Sequence, residues 1–337
     1  MDKPPVAAIL SDLYRPILPD LKRVEDELTR IAPKGNPLLE EIGDYLFQLG
    51  GKRIRPALLL LANRLFGRPD AEAAVFWATM IETIHTASLV HDDLVDNSNQ
   101  RRGQATVHVR WGANITVLLG DFLYLQSIRL SLRTRHNALI DILADVTALM
   151  VEGELIEASW RGKPEIPEPV YWDILDKKTA ALFAGACRIG AEIGGASPDQ
   201  AAGIEAFGRR LGLCFQIVDD WLDYSGDAAK LGKPVLSDLK EGRFTLPLLR
   251  CFDRLDGTGK RRLLEAVDGL VSADRTSSEE AGRGILAAVR ETGALEATLE
   301  EARRSAAAAG SLLESMPENE AHGALRGLIG LTINRDK

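Results

Sequence analysis

Two short clusters of aspartate carry the clearest chemical signal in this sequence of 337 residues. They are the DDLVD segment at 92–96 and the DDWLD segment at 219–223. In a helix of 3.6 residues per turn, the first and last acids of each segment lie on one face, where their like charges repel each other. Apolar residues lie beside both segments, and carboxylates in such surroundings are costly unless cations accompany them. The clusters therefore predict two acidic helix faces that bind cations.

The ligand types indicate which cation this is. Carboxylates without cysteine or paired histidines are typical of Mg²⁺, which keeps waters and shares its coordination shell with substrate phosphates. Basic residues suited to phosphate alternate with the acid clusters along the chain, beginning with the GGKRIRP segment at 50–56. The later basic positions are Arg101, Arg102, Lys178, Lys233, Lys240 and Arg243. This alternation, in a chain of net charge −8, predicts a polyphosphate–metal site.

The elements that must position these residues are predicted to be helices. Ala, Leu, Glu and Arg dominate, and two long segments, about 71–98 and 137–160, carry apolar residues at three- and four-residue spacing. Glycine- and proline-rich breaks separate the segments, with no internal repeat and no long linker. We expect one all-α domain of ten or more helices over residues 1–337. Its motif-bearing core covers about 45–250, and a C-terminal helical layer covers about 255–337.

Composition limits the class of partner and the compartment. With 41 basic and 49 acidic residues, the chain lacks the basic excess of a nucleic-acid binder. Its three cysteines lie far apart, so we expect neither a disulfide framework nor a zinc–thiolate site. The N-terminus does not resemble a signal peptide, and the purest apolar run, 57–62, is far shorter than the roughly 20 residues of a transmembrane helix. These features predict a soluble, cytoplasmic protein with no integral membrane segment.

The order and spacing of the motifs resemble the trans-isoprenyl diphosphate synthases, or polyprenyl synthetases, and most closely their medium- and long-chain members. The motifs are GGKRIRP at 50–56, HTASLVHDDLVD at 85–96, RRG at 101–103, GDFL at 120–123, EGE at 152–154, KT at 178–179, FQIVDD at 215–220 and GKP at 232–234. The resemblance covers about residues 45–250. It implies the isoprenoid synthase fold, with helices around a deep central cavity, usually as a homodimer. The implied activity is head-to-tail condensation of isopentenyl diphosphate onto an allylic diphosphate.

The resemblance also implies a role for each motif residue. The ligands of three Mg²⁺ ions that hold the allylic diphosphate are Asp92, Asp96 and Asp219. The supporting acids are Asp93, Asp220 and Asp223. The residues that contact the allylic diphosphate or steady its metals are Arg101, Lys178, Gln216 and Lys233. The residues that stabilise positive charge on the allyl group are Thr179 and Gln216. The isopentenyl diphosphate site consists of Lys52, Arg55, His85 and Arg102.

Three positions depart from the family pattern. Arg243 is expected among the substrate-binding residues, although related enzymes often carry lysine there. Trp221 is bulkier than the residue expected inside the second acidic motif. The C-terminal segment 334–337 only loosely resembles the basic tail that can cover the site in relatives, so a role for Arg335 or Lys337 is not assigned.

Product length is predicted from the helix face that precedes the first acid cluster. Trp77, Ile81, Ile84 or His85, and Ser88 recur every three or four residues before Asp92. A helix rises about 5.4 Å per turn, which is close to one extended isoprene unit. The small residues Ala87 and Ser88 stand where short-chain relatives carry bulky aromatics, and the first large aromatic on the face is Trp77. A product of roughly C30–C40 is therefore expected.

Four alternatives remain at this stage. The enzyme makes farnesyl or geranylgeranyl diphosphate if Ala87 and Ser88 are small only for helix packing. A terpene cyclase shares the first acidic motif, but its second motif usually mixes Asn, Ser or Thr with Glu. A non-catalytic subunit of a heteromeric synthase should have lost motif residues, and all are present here. Finally, the Glu82-x-x-His85 pair is typical of di-iron bundles, which need a second such pair that the other four histidines do not supply.

Overall fold

A computed structural model of the chain describes residues 6–31, 35–48, 50–67, 70–225, 235–271 and 275–334. Lys233, Arg335 and Lys337 lie outside the described residues.

Helices make up nearly all of the described chain, which confirms the predicted all-α class. They are α1 (Val6–Tyr14), α2 (Leu18–Leu28), α3 (Pro37–Gln48), α4 (Ile54–Leu65), α5 (Ala71–Val95), α6 (Val107–Trp111), α7 (Ala113–Leu132), α8 (Asn137–Trp160), α9 (Glu168–Leu175), α10 (Ala181–Ile193), α11 (Pro198–Ser225), α12 (Ser237–Lys240), α13 (Leu246–Arg254), α14 (Gly257–Leu270), α15 (Arg275–Glu291), α16 (Ala294–Leu313) and α17 (Glu320–Ile333). A 3₁₀ turn, Arg15–Ile17, joins α1 to α2, and a π-helical turn, Asp176–Ala180, joins α9 to α10. Strands β1 (Gln100–Arg101) and β2 (Gln104–Ala105) form a short antiparallel ribbon.

The two long periodic segments fold as the two helices predicted from them, α5 and α8. Asp70 begins α5, because its carboxylate accepts a hydrogen bond from the amide of Ala73 at 3.0 Å. The helix ends at Val95, so the first acid cluster occupies its last turn and Asp96 lies just beyond it. Local sequence therefore places these acids at the end of a long helix.

Helices α4, α5, α10 and α11 form the centre of the molecule. Helix α10 packs against both α4 and α11, while α5 packs against α4 and α7. Every residue from 57 to 62, the purest apolar run of the sequence, is buried in α4. This run is thus a core helix, and it contributes to the large hydrophobic cluster that supports the acid-bearing helices.

The C-terminal helices form more than an outer layer. Helix α16 lies along α11, and α17 packs against α1, α4 and α16. Gly327, Gly330 and Leu331 of α17, with Ile9 and Leu13 of α1, line the same cavity as the predicted site residues. The two ends of the described chain therefore meet at the site. The sequence did not indicate this, because neither α1 nor α17 contains a recognisable motif.

Two helices of the described chain, α5 and α7, are long and apolar enough to cross a membrane by length and composition alone. Two-thirds of the apolar stretch of α5 is buried inside the protein, as befits a central core helix. Helix α7 is less covered, and its large exposed side chains Leu118, Leu125 and Leu132 recur every seven residues. The neighbouring helix α8 exposes Val151 and Leu155. The apolar residues of α7 therefore lie partly in the core and partly on an exposed outer face.

Candidate active site

A deep cavity of about 1380 Å³ lies between α1, α4, α5, α8, α11 and α17. Side chains from five separate sequence motifs line it. The predicted site residues among them are Lys52, Arg55, His85, Ser88, Asp92, Arg101, Arg102, Lys178, Thr179, Gln216 and Asp219. The fold thus brings together groups that are far apart in the sequence.

A smaller cavity of about 180 Å³ adjoins the large one, because Asp92, Arg101, Lys178 and Gln216 line both. Three further residues of the predicted site line the smaller cavity. They are Asp96, Asp220 and Arg243. The acidic end of the site therefore extends from one cavity into the next.

Asp92 and Asp219 face the large cavity from helices α5 and α11. Burial raises the pKa of Asp92 to about 7, although Lys178 opposes this shift and Glu154 and Asp96 add to it. A buried carboxyl of this kind is ionised most readily when a cation lies beside it. A cation bound in the cavity would therefore stabilise the charged form of this carboxylate.

The remaining acids of the first cluster are held by arginines. Nε of Arg101 donates to both oxygens of Asp93, at 2.9 and 2.8 Å. One oxygen of Asp96 accepts a hydrogen bond from Arg161 at 2.5 Å, and the other accepts one from Arg243 at 2.9 Å. Asp93 accordingly orients Arg101 toward the cavity, while Asp96 joins the ends of α5 and α8 to the turn that contains Arg243.

Within the second acid cluster, Asp220 belongs to a chain of hydrogen bonds at the cavity wall. Asp220 is buried, and its oxygens accept hydrogen bonds from Tyr171 at 2.7 Å and from Gln216 at 2.9 Å. Burial, reinforced by Asp238, raises the pKa of Asp220 well above its usual value. The amide of Gln216 in turn accepts from the hydroxyl of Thr179 at 3.1 Å. This chain of hydrogen bonds fixes the orientation of Thr179 and Gln216 at the cavity wall.

Asp223, predicted as a catalytic supporting acid, has a different position. It is fully buried and lies outside the described lining of both cavities. One oxygen accepts from the amide and hydroxyl of Ser237 at 3.1 and 2.7 Å, and the other accepts from the amide of Asp238 at 3.1 Å. Because both oxygens accept from the first amides of α12, the carboxylate holds that helix in place. Its role as a supporting acid stays a prediction.

Lys178 lies in the π-helical turn, where an extra residue directs the side chain into the site. Gly153 of α8 allows this turn to approach, since a Cβ there would lie 2.7 Å from the amide nitrogen of Lys178. The ammonium contacts Glu154 and Glu157, each at 2.5 Å. Burial alone would lower the pKa of Lys178, but Glu157, Asp92 and Glu154 outweigh it and raise the pKa. The lysine therefore stays charged at the acidic end of the cavity.

Cationic side chains line the same cavity. Nη1 of Arg55 donates to Nε2 of His85 at 2.9 Å, and the guanidinium lies 4.9 Å from the ring centre of Phe183. Burial lowers the pKa of Arg55 to about 10, opposed by the carboxylates of Glu82, Asp219 and Asp92. Burial, with Arg55 and Arg101 nearby, lowers the pKa of His85 well below its usual value. The imidazole is therefore neutral near pH 7 and serves as an acceptor.

Arg102 lies against the glycine turn on the same side. A Cβ at Gly51 would lie 3.1 Å from both terminal nitrogens of its guanidinium. Arg102, Lys52 and Arg55 thus surround one end of the cavity with positive charge. Such a cluster suits a second anion, separate from the one at the acidic end.

The donor set also fits a divalent cation. Within the described ranges, no three acidic, histidine or cysteine side chains converge closely enough to hold a metal by themselves. Asp92 and Asp219 would supply oxygen ligands from α5 and α11, which both line the cavity, and Asp96 lies one helical turn beyond Asp92. Mg²⁺ suits this arrangement because it completes its shell with water and phosphate oxygens.

The cavity wall differs from the predicted product-length face. His85, Ser88 and Asp92 line the large cavity, but Ile84, Ala87, Ile81 and Trp77 are absent from its described lining. All four are buried, since α5 is surrounded by α2, α4, α7 and α10. Helix packing thus uses most of that face, and α5 contributes only its last turns to the wall.

Apolar residues of several helices complete the wall, and the sequence analysis did not assign them to the site. They are Ile9 and Leu13 of α1, Leu89 of α5, Met150 of α8, Phe215 of α11 and Leu331 of α17. Glu157, Arg161 and Tyr171 at the acidic end were also missed. Only Leu89 and Phe215 had a signal, because they lie inside the motifs at 85–96 and 215–220. The others are ordinary apolar or charged residues until packing brings them together.

A cavity among helices that is lined both by acids of two helices and by a cluster of basic residues is typical of isoprenoid synthases that handle diphosphates. The sequence model of the family described as polyprenyl synthetase matches residues 36–281 of the chain. The chain therefore belongs to the polyprenyl synthetase family, as the motifs predicted.

Individual relatives agree with this assignment. Octaprenyl diphosphate synthase from Haemophilus influenzae is 36% identical over 318 residues, covering 94% of each chain. Heptaprenyl diphosphate synthase component 2 from Geobacillus stearothermophilus is 34% identical over 327 residues, covering 97% of this chain and 99% of the relative. The crystal structure of a polyprenyl synthase from Caulobacter crescentus, complexed with calcium and isoprenyl diphosphate, superposes with a TM-score of 0.89 at 32% identity, covering 97% of this chain and 98% of that one.

Proposed function

We propose that the protein is a medium- to long-chain polyprenyl diphosphate synthase that adds isopentenyl diphosphate head to tail to an allylic diphosphate, with all-trans products. The observation that carries this proposal is the shared cavity. Asp92 and Asp219 line it together with Arg55 and His85. Two anion sites of different chemistry in one cavity suit two diphosphate substrates. The octaprenyl and heptaprenyl names of the relatives support the chain-length class.

We assign the allylic diphosphate to the acidic end. Asp92, Asp96 and Asp219 would hold Mg²⁺, three ions by family resemblance, and the calcium in the related crystal structure supports a divalent cation. When bound, Mg²⁺ neutralises negative charge on the diphosphate. Lys178 and Arg101 contact the same diphosphate directly and stabilise it as it departs. Lys233 is assigned there too and stays a prediction, since it lies outside the described residues.

The reaction breaks the allylic carbon–oxygen bond, whose electron pair leaves with diphosphate. The oxygens of Thr179 and Gln216, fixed by Asp220, face the positive charge left on the allyl group. The π electrons of isopentenyl diphosphate, held by Lys52, Arg55, His85 and Arg102, form the new carbon–carbon bond. A proton then leaves the adjacent carbon for the departed diphosphate. The apolar wall keeps water away from the cation.

The test uses the purified chain with radiolabelled isopentenyl diphosphate, an allylic primer and Mg²⁺. We expect labelled all-trans products of roughly C30–C40, the class that the heptaprenyl and octaprenyl names of the relatives support. Products that stop at C15 or C20 would overturn the chain-length class. Release of diphosphate without incorporation of label would indicate a cyclase, and turnover only after addition of a second protein would indicate a subunit of a heteromeric synthase.

The resemblance to the polyprenyl synthetases, which are usually homodimers, leads us to propose that this protein is a cytoplasmic homodimer. Its support in this chain is the exposed apolar face of α7 and α8, which carries Leu118, Leu125 and Leu132 on the first helix. A soluble monomer rarely exposes so many large apolar side chains on neighbouring helices. A second copy of the same face would cover them.

A further inference from the structure

Arg53 lies between Lys52 and Arg55, the two residues assigned to isopentenyl diphosphate, and its own side chain is committed to two carboxylates. Nε and Nη2 donate to the two oxygens of Glu25 on α2, at 2.6 and 2.9 Å. Nη1 donates to Glu82 on α5 at 2.7 Å. The side chains of Arg53 and Glu82 are only 7% and 6% exposed. One guanidinium therefore joins the turn before α4 to two other helices.

The backbone of this turn is unusual. Arg53 has φ 49° and ψ 38°, the left-handed conformation that a residue with a Cβ rarely adopts. Such a conformation persists where surrounding contacts fix it. The carbonyl of Lys52 accepts from the hydroxyl of Tyr14 at 2.8 Å, and the carbonyl of Arg53 accepts from the amide of Ala57 at 2.9 Å. The ion pairs and these two bonds together set where Lys52 and Arg55 enter the cavity.

Charge gives Arg53 a second effect on the same subsite. Glu82 lines the large cavity beside His85 and Arg55, so its carboxylate lies close to the space assigned to a diphosphate. Arg53 pairs with this carboxylate and offsets its negative charge. Without Arg53, an unpaired buried acid would face an incoming anion.

We propose that Arg53 is a positioning residue for the isopentenyl diphosphate subsite. Through Glu25 and Glu82 it holds its own left-handed backbone in the turn before α4 and shields the diphosphate from Glu82. This inference rests on the proposed assignment of Lys52, Arg55 and His85 to that substrate. It also gives the Glu82-x-x-His85 pair a purpose without iron, because Glu82 binds Arg53 and His85 accepts from Arg55.

The test compares Arg53→Gln with Arg64→Gln in steady-state kinetics on the full chain with Mg²⁺. Arg64 is a matched control because it also joins α4 to α2, through Asp20 at 2.7 Å, at the far end of α4. We expect Arg53→Gln to raise KM for isopentenyl diphosphate about tenfold or more, with kcat and the allylic KM changed less than about threefold. Arg64→Gln should leave both KM values within about twofold. An equal rise in both KM values for Arg53→Gln, or no rise, would overturn the proposal.

Two further variants separate position from charge. Arg53→Lys keeps the positive charge but not the forked contact, so its KM should fall between those of the wild type and Arg53→Gln. Adding Glu82→Gln to Arg53→Gln should lower the raised KM for isopentenyl diphosphate by at least about threefold, because the unpaired acid is gone. No recovery would contradict the shielding effect. If Arg53→Gln does not fold, Glu25→Gln replaces it with an expected rise of about threefold, and an unchanged KM overturns the proposal.

Arg55→Ala distinguishes this inference from the function on which it rests. If Arg55→Ala leaves KM for isopentenyl diphosphate unchanged, the subsite assignment fails and the role of Arg53 fails with it. If Arg55→Ala raises that KM while Arg53→Gln does not, only the role of Arg53 is overturned.

Discussion

Asp92 illustrates how burial sets the chemistry of a single side chain. Its pKa is raised to about 7 because the carboxyl is buried, and Lys178 only partly offsets the effect. Asp93 and Asp96, its neighbours in the same motif, instead have arginine partners. Acids that are neighbours in one motif therefore have different partners, which depend on the segment that each one meets.

Replacing Asp92 or Asp219 with asparagine should lower turnover by at least about 100-fold, the usual cost of losing one preorganised electrostatic stabiliser. Excess chelator should abolish turnover of the wild type. Steady-state assays with saturating substrates measure both effects. Asp145→Asn, an exposed acid on α8, is the matched control and should retain full activity. Near-normal turnover in either site variant would refute the metal-binding assignment.

His85 makes a pH-dependent contribution to stability whose sign follows from its lowered pKa. The folded protein keeps the imidazole neutral, whereas the unfolded chain takes up a proton below about pH 6.5. The unfolded state then binds more protons, so this contribution is complete above that pH and is lost as pH falls toward the folded pKa. Denaturant unfolding of His85→Gln between pH 5 and 7 should show a shallower pH dependence than the wild type, by up to about 1.4 kcal/mol per unit. Identical slopes would contradict the burial effect.

At the scale of helices, sequence patterns located the acid-bearing elements but not the whole cavity. The periodicity placed α5 within a few residues, and the motifs named most of the side chains that converge. Met150 and Leu331 could not be found in this way, because an apolar residue looks the same whether it packs in the core or lines a cavity. The position of Ala87 inside helix packing depends equally on contacts between distant segments.

Product length should respond to the residues that line the cavity. Ser88→Phe places an aromatic ring in the wall next to Asp92 and should shorten the product by one or more isoprene units. Met150→Ala removes bulk from the part of the wall that α8 supplies and should lengthen the product. Ala87→Ser is the control, since residue 87 is buried away from the described lining and should change stability but not chain length. Chromatography of dephosphorylated products measures the lengths, and an unchanged distribution in Ser88→Phe would exclude this wall as the determinant.

At the scale of the whole molecule, the outer face and the site are physically linked through α7. The inner side of α7 packs against α5, where Nε2 of His91 contacts the carbonyl of Val117 at 3.1 Å. His91 directly precedes Asp92, and Gly120 of α7 leaves room for its ring, since a Cβ there would overlap the imidazole. Support for the acid cluster therefore depends on how α7 is held, and its opposite side carries the exposed leucines.

Leu125→Glu should convert a dimer into a monomer and lower turnover by about tenfold or more, because it places a charge in a face that must lose water to pair. Sedimentation velocity and activity at matched concentrations measure the two effects. Val271→Glu is the matched control, since Val271 is just as exposed but lies at the end of α14, far along the chain from α7. A Leu125→Glu protein that remains dimeric would show that copies associate elsewhere. A monomeric wild type that becomes active only with a second protein would mean that the face of α7 and α8 binds a different chain.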